Sequence, residues 1–272
     1  MLYGGSIPTS RPSRTIAGPI CCAHVKNKSE KDSGGIFVGC SGWAYPSWRP
    51  DFYPAGLSPK KLLGHYAARL NSVEVNYTFR ALPSAATVEA WLAQTPPGFR
   101  FSFKAPQRIT HFQRLVDCGP ALEALAAMLE PVALAGRLGV VLFQLPPNMR
   151  IASERLAEFL RELSPLNLQT TFEFRHPSWF DSSTYRVLEQ YGAALCLAES
   201  DELETPDVVT APFSYYRFRK SEYSSEQLAQ IQDRLAERSA QGDVFAYFKH
   251  EDEPTGALRA AAVFDALRGR RK

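Results

Sequence analysis

The densest run of chemically capable side chains in this 272-residue chain is FEFRHPSW, which brings Glu173, Arg175, His176 and Trp179 close together. A carboxylate there can act as a general base, an imidazole can exchange a proton near neutral pH, and a guanidinium can clamp negative charge. A structural alternative is that Glu173 pairs with Arg175 while His176 caps the turn beside Pro177. Lys104, ending RFSFK, is a second centre, because a lysine whose pKa is depressed by burial can form a Schiff base. Glu173, His176 and Lys104 are therefore the candidate catalytic residues.

These residues fall at the ends of short apolar segments that recur at intervals of roughly 20 to 40 residues. The segments are IFVGCSG from Ile36, SVEVNYT from Ser72, RFSFKAP from Arg100, LGVVLFQLP from Leu138, TTFEFR from Thr170, AALCLAES from Ala193, FSYYRFR from Phe213 and DVFAYFKH from Asp243. Between them the apolar residues follow a helical period, as in Leu63, Tyr66, Ala67 and Leu70, in Leu156, Phe159, Leu160 and Leu163, and in Ala260, Val263, Phe264 and Leu267. Ser58-Pro59 and Ser153-Glu154 mark expected helix starts. Residues 201–211 are acidic and interrupted by Pro206, which predicts a loop between the sixth and seventh strands. Long crossovers between strands imply parallel pairing, so the fold class is α/β, a (β/α)8 barrel whose active-site groups sit at the strand C-termini.

Alternate residues of a strand share a face, and here the split separates bulky apolar from charged side chains. Val73, Val75, Tyr77 and Phe79 oppose Glu74, Asn76, Thr78 and Arg80; Phe101 and Phe103 oppose Ser102 and Lys104; Phe172 and Phe174 oppose Glu173 and Arg175; Tyr216 and Phe218 oppose Tyr215, Arg217 and Arg219; Lys249 shares the face of Tyr247. With the apolar set against the helices, Glu74 and Glu173 face Lys104, Arg175, Arg217 and Lys249 in the lumen, with Arg80 at the mouth. Isolated buried charges cost several kcal/mol or more, so these groups pair with one another or with a ligand. The positive balance predicts a phosphate- or carboxylate-binding mouth. The expected ligand contacts are Ser41, Trp43, Tyr45, Asn76, Arg80, His111, Gln144, Arg175, Trp179, Arg217 and Lys249. An ion-pair network without ligand is the competing expectation.

The aromatic run Trp43, Tyr45, Trp48, Phe52 and Tyr53 either stacks on a base or sugar or folds its own loop into a plug. Stacking beside a cationic mouth makes a non-catalytic nucleotide- or nucleic-acid-binding barrel the main alternative to an enzyme. A metal-dependent hydrolase is the other: His111, His176 and His250 lie near strand ends and can combine with Glu173 or Glu199, but there is no HxxxH, HExxH or paired CxxC. No metal or other cofactor is expected. A phosphate site at Thr255-Gly256-Ala257 is opposed by Glu251, Asp252 and Glu253 before it. No dinucleotide, P-loop or nucleophile-elbow motif occurs.

The chain is 45% hydrophobic and 22% charged with a formal charge of +3, which suits one barrel domain over residues 36–268 and is too mild to imply nucleic acid by itself. No apolar run reaches a membrane-spanning length. Residues 1–35 are rich in Ser, Gly, Pro and basic residues and lack periodicity, predicting a disordered extension or a start placed too early, with a faint transit-peptide flavour from Arg11 and Arg14. The five cysteines include Cys40 and Cys196 inside strands, and a reducing cytoplasm is expected.

From GCSGWAYPSW and FYP, through VEVNYTF, TPPGFRFSFK, Thr110-His111 and LGVVLFQLPP, to FEFRHPSW, the sequence resembles the YecE-like family over about Ile36 to Leu267. The resemblance implies a TIM-type barrel and no established reaction. Members of that family tend to carry asparagines near the last strand and in the last helix, where this chain has Phe248-Lys249-His250 and Ala260-Ala261.

Overall fold

The computed structural model of the protein describes residues 34–249 and 253–270. The extension expected over residues 1–35 lies outside them up to residue 33, as do His250, Glu251 and Asp252. Gly34 and Gly35 belong to the fold: the Gly34 amide donates to Ser239 O and the Gly35 amide to Asp243 Oδ1.

All eight expected strands form: β1 (Ile36–Cys40), β2 (Ser72–Val75), β3 (Arg100–Lys104), β4 (Leu138–Gln144), β5 (Thr170–Glu173), β6 (Ala194–Glu199), β7 (Phe213–Phe218) and β8 (Asp243–Phe248). They pair in parallel in the order β1-β8-β7-β6-β5-β4-β3-β2, a nearly closed barrel. Seven α-helices cover the described part of its outside: α1 (Leu62–Arg69), α2 (Ala85–Ala93), α3 (Gly119–Leu134), α4 (Ser153–Leu163), α5 (Ser182–Gln190), α6 (Ser225–Ser239) and α7 (Thr255–Arg270). The β6-to-β7 connection has no helix, in keeping with its acidic, proline-interrupted sequence. The helix starts differ in detail from expectation. Pro59–Lys61 forms a 3-10 turn before α1, Ser58 caps nothing, and Ser153 is already helical, with its hydroxyl on Ser183 instead of a backbone amide.

The barrel closes between β1 and β2 through side chains rather than a backbone ladder. Asn71 accepts from the Val38 amide at 2.8 Å and donates to Ile36 O at 2.8 Å, which reproduces a strand's pairing with one amide side chain. The Tyr66 hydroxyl, brought in by α1, donates to Ser72 O and accepts from the Cys40 amide. Gly39 is required at this seam, because a Cβ there would lie 2.0 Å from Ser72 O.

The bulky strand residues meet the helices as their alternation predicts. Phe143, Phe172, Phe174 and Trp179 form a stacked column outside the sheet, with Phe174 and Trp179 centroids 4.5 Å apart. Burial of each such ring contributes about 2–3 kcal/mol. The lower lumen is filled by Phe245, Val140, Leu142 and Tyr215 with Phe37 stacked on Phe245; the Tyr247 hydroxyl bonds Ser72 and Ser102 there, and Arg100 lies over the Phe37 ring. Glu74, Glu173 and Arg217 gather above this floor, nearer the C-terminal end of the strands.

Candidate functional site

Above this floor a continuous polar chain crosses the lumen. The Tyr215 hydroxyl donates to Glu74 Oε2 at 2.6 Å, and Arg217 donates through Nη2 to Glu74 Oε1 at 2.7 Å and through Nη1 to Glu173 Oε2. Gln144 Nε2 donates to Glu173 Oε1 at 2.8 Å, and Lys104 Nζ donates to Gln144 Oε1 at 2.8 Å. Glu74, Glu173 and Arg217 are 0%, 3% and 2% exposed. Strand parity explains the assembly: these residues come from β2, β3, β4, β5 and β7, each on its inward face.

The charges of this chain set one another. Burial pushes the Glu173 carboxyl up, but Arg217, Arg219 and the hydrogen bonds from Arg217 and Gln144 overturn that and hold it down at about 2. Burial pulls the Arg217 guanidinium down, while Glu173 and Glu74 hold it well above its ordinary value. Lys104 behaves in the opposite way. Burial, then the charge of Arg217, lower its ammonium to about 8 against the pull of Glu74 and Glu173.

Lys104 opens into a cavity of about 1350 Å³ at the mouth, lined by strand ends and the loops after β1 and β2. Lys60, Arg80, Arg175, Arg217, Arg219 and Lys249 line it with Lys104, and among the described residues no carboxylate does. Trp43, Tyr45, Phe79 and Trp91 supply aromatic wall, with Trp43 and Trp91 edge to face at 5.2 Å. Phe79 lies under the lysine, its ring centroid 4.0 Å from Nζ. Asn76 donates to Ser41 O at 3.1 Å, while its Oδ1 is buried without a hydrogen-bond partner.

Phe79 corrects one expectation. The alternation of Val73 and Val75 does not continue to Tyr77 and Phe79, because β2 stops at Val75, Asn76 turns into the αR region, and a 3-10 turn over Tyr77–Phe79 follows. Phe79 thus joins the cavity, Tyr77 becomes 59% exposed, and the Thr78 hydroxyl is bound to Lys104 O at 2.7 Å.

Of the residues expected at the site, Ser41, Trp43, Tyr45, Asn76, Arg80, Lys104, Gln144, Arg175, Arg217 and Lys249 share this cavity. Glu173 lies just beneath it, both oxygens occupied. His176 stands apart: its Nδ1 bonds the Ser178 hydroxyl at 2.8 Å and caps the 3-10 turn Pro177–Trp179. Trp179 is fully buried, stacked on Phe174 and donating to Met149 O, so the structure removes it from the expected ligand contacts. His111 packs edge-on behind Phe79 at 5.0 Å and bonds Thr110; burial and the cations Lys104, Arg175 and Arg114 lower its pKa. The first loop divides: Trp48, Phe52 and Tyr53 are buried as its own core, while Trp43 and Tyr45 face the cavity. Arg219, which strand parity puts on the face of Arg217 but which is not among the expected ligand contacts, also lines the cavity. Strand parity gives no signal for Lys60 or Trp91, which lie outside the strands. Among the described residues, no three His, Cys, Asp or Glu side chains converge as a metal site would need, and none of the described helices is long and apolar enough to cross a membrane.

The profile of the family described as "Protein of unknown function DUF72" matches residues 37–272. The chain belongs to the DUF72 family. It is 32% identical over 171 residues to UPF0759 protein YecE of Escherichia coli (strain K12), covering 61% of this chain and 59% of that one. It is 30% identical over 156 residues to UPF0759 protein YunF of Bacillus subtilis (strain 168), covering 55% and 54%. The chain thus spans a little over half the length of these two relatives. A crystal structure of a DUF72 family protein from Thermotoga maritima superposes with a TM-score of 0.78 at 25% identity, over 86% of this chain and 99% of the other. The YecE-like resemblance carried by GCSGWAYPSW and FEFRHPSW, and the barrel it implied, are both borne out.

Proposed function

We propose that the mouth of this DUF72 barrel binds a small anionic molecule, phosphorylated or carboxylated, and is the reaction site of an enzyme. One observation carries the reading: a cavity lined by seven cationic groups of strand ends and loops has no carboxylate in its described wall. Lys104 is the group available for chemistry. In this reading Glu173 is a positioning residue that holds Gln144, and through it the lysine, while His176 fixes the loop after β5.

The aromatic wall of Trp43, Tyr45, Phe79 and Trp91 supports a second reading, a nucleotide or nucleic-acid site in which bases stack beside the cations. A thermal-shift titration with inorganic phosphate, sugar phosphates, small carboxylates, mononucleotides and short oligonucleotides separates the two. Ligand at ~100 times Kd adds about 2.7 kcal/mol, which raises Tm by several degrees. Stabilisation by small anions, weakened in Arg80→Gln/Arg219→Gln, is the expected result. A response confined to oligonucleotides and falling steeply with salt favours the second reading, and no response to any anion overturns both.

A further inference from the structure

We infer that Lys104 is a carbonyl-trapping nucleophile, and that the substrate class is an aldehyde or ketone carrying a phosphate or carboxylate; this rests on the anion-binding reading above. The inference begins with what the lysine touches. Its ammonium meets a neutral amide oxygen, Gln144 Oε1, and an aromatic face, Phe79. Among the described residues no carboxylate lies within ion-pairing distance of Nζ: both lumen carboxylates pair with Arg217, and Glu173 also with Arg175. A lysine buried for structure is ordinarily locked charged by an acidic partner; this one is not.

The surroundings also suit the product of the reaction. The neutral amine attacks the carbonyl carbon, the C=O π pair moves to oxygen, and a proton passes from nitrogen to that oxygen, giving a carbinolamine. Protonation of the hydroxyl by solvent and loss of water, with the nitrogen lone pair forming C=N, leaves a protonated imine. Atoms and charge balance: amine, carbonyl and one proton become iminium and water. The iminium keeps one N–H and one positive charge. Gln144 Oε1 is placed to accept that N–H, and it is held in register because its own amide donates to Glu173. Phe79 supports the cation in the product as it does in the ammonium.

Supply of the reactive form follows from the same layout. With an ammonium near 8, about a tenth of Lys104 is neutral at pH 7, roughly 300-fold more than for a lysine at its ordinary 10.5. The other thiols and hydroxyls nearby are less suited. Cys40 and Cys196 are fully buried with thiols pushed up by burial. Burial raises the Tyr45 phenol to about 12. Arg80, Arg175 and Arg219 line the same cavity and can fork an anionic substituent while the carbonyl reaches Nζ.

Pyridoxal 5′-phosphate, which joins an aldehyde to a phosphate, is the probe. The protein is incubated with it across pH 6 to 10, reduced with borohydride, and the labelled peptide identified by mass spectrometry. Expected are preferential labelling of Lys104, at least 10-fold slower labelling by pyridoxal, competition by inorganic phosphate, and a rate that rises to a plateau above about pH 8. Glyoxylate tests the carboxylate branch in the same way. Lys104→Arg is expected to lose the label while phosphate still stabilises it thermally. Labelling spread evenly over surface lysines, or no preference for the phosphorylated aldehyde, overturns the imine assignment. If phosphate stabilises the wild type and Lys104 stays unlabelled, the imine fails and the anion site stands. If phosphate neither stabilises nor competes, the anion site itself fails. The wild-type pH profile and peptide map decide the matter even if Lys104→Arg does not fold.

Discussion

Arg217→Met is the perturbation that most directly tests how the barrel interior is held. Arg217 is the cation shared by Glu74 and Glu173, and all three are almost fully buried. Removing one member of a buried ion pair costs about 3–5 kcal/mol, since the remaining charge is stranded without water. Two carboxylates are stranded here, so the loss belongs at the upper end, about 4–5 kcal/mol, a large share of the 5–15 kcal/mol that typically separates a folded domain from its unfolded chain. With a urea slope of about 2 kcal/mol/M, the unfolding midpoint falls by about 2 M. The assay is equilibrium urea unfolding at pH 7 and again at pH 5.

The pH dependence sharpens the test because its sign inverts. In the wild type Glu173 is held near 2 against an ordinary 4.5, which contributes about 3 kcal/mol above pH 4.5 and is lost as pH falls from there through 2. In Arg217→Met burial raises the Glu173 carboxyl once its main cation is gone, the folded state binds more protons than the unfolded one, and stability rises as pH is lowered from 7 to 5. Adding Glu74→Gln and Glu173→Gln to Arg217→Met removes the stranded charge and is expected to recover most of the loss. A midpoint for Arg217→Met within 0.5 M of wild type, with an unchanged pH slope, refutes the reasoning.

Two further outcomes follow from other parts of the molecule. Gly39→Ala would place a Cβ 2.0 Å from Ser72 O and 2.8 Å from the Tyr66 hydroxyl, forcing the β1–β2 seam apart; a urea midpoint lowered by more than 1 M is expected, against no change for Gly56→Ala, where nothing lies within 4 Å. Lys104 is lowered to about 8 in the fold, so the unfolded chain binds more protons between there and 10.5; wild-type stability should rise by about 3 kcal/mol relative to Lys104→Met across that window, read from paired urea curves at pH 7.5 and 10.5.

The strands and the inward charges were legible because both depend on a period of two. Glu74, Lys104, Gln144, Glu173 and Arg217 all fall on the inward face that parity assigns. Parity fails where a strand ends, and nothing in VEVNYTF marks Asn76 as the residue that leaves the sheet; Phe79 therefore read as helix-facing and instead underlies Lys104. Motif density carries another ambiguity at His176 and Trp179. A conspicuous loop sequence can be conspicuous because it packs, and Trp179 fills the space over Phe174 while His176 holds the turn that delivers it. Asn71 was invisible for a different reason. An asparagine before a strand reads as a turn residue, and only the assembled barrel shows it pairing with Ile36 and Val38 of a strand distant in sequence.

The character of the mouth turns on the residue at position 144. Glu74 and Glu173 outnumber Arg217 at the centre of the network, and the balance is met from the cationic rim above, where Arg175 lies 4.0 Å from Glu173. A glutamate at the end of β4 would bring negative charge to Lys104 and lock it as an ammonium. Glutamine transmits position without charge: its nitrogen is fixed by Glu173, so its oxygen can only face the lysine. Glu173 is thereby isolated from solvent and from titration near neutral pH, while Lys104, one amide away, is left near 8 in the field of Arg217 and Arg219. One branch of this network ends at its upper edge in an ion pair, Arg175 Nε 4.0 Å from Glu173 Oε1; the branch through Gln144 does not. This one ends in a lysine with a neutral partner, aromatic support and open volume beside it, which is the arrangement that the chemistry at Nζ requires.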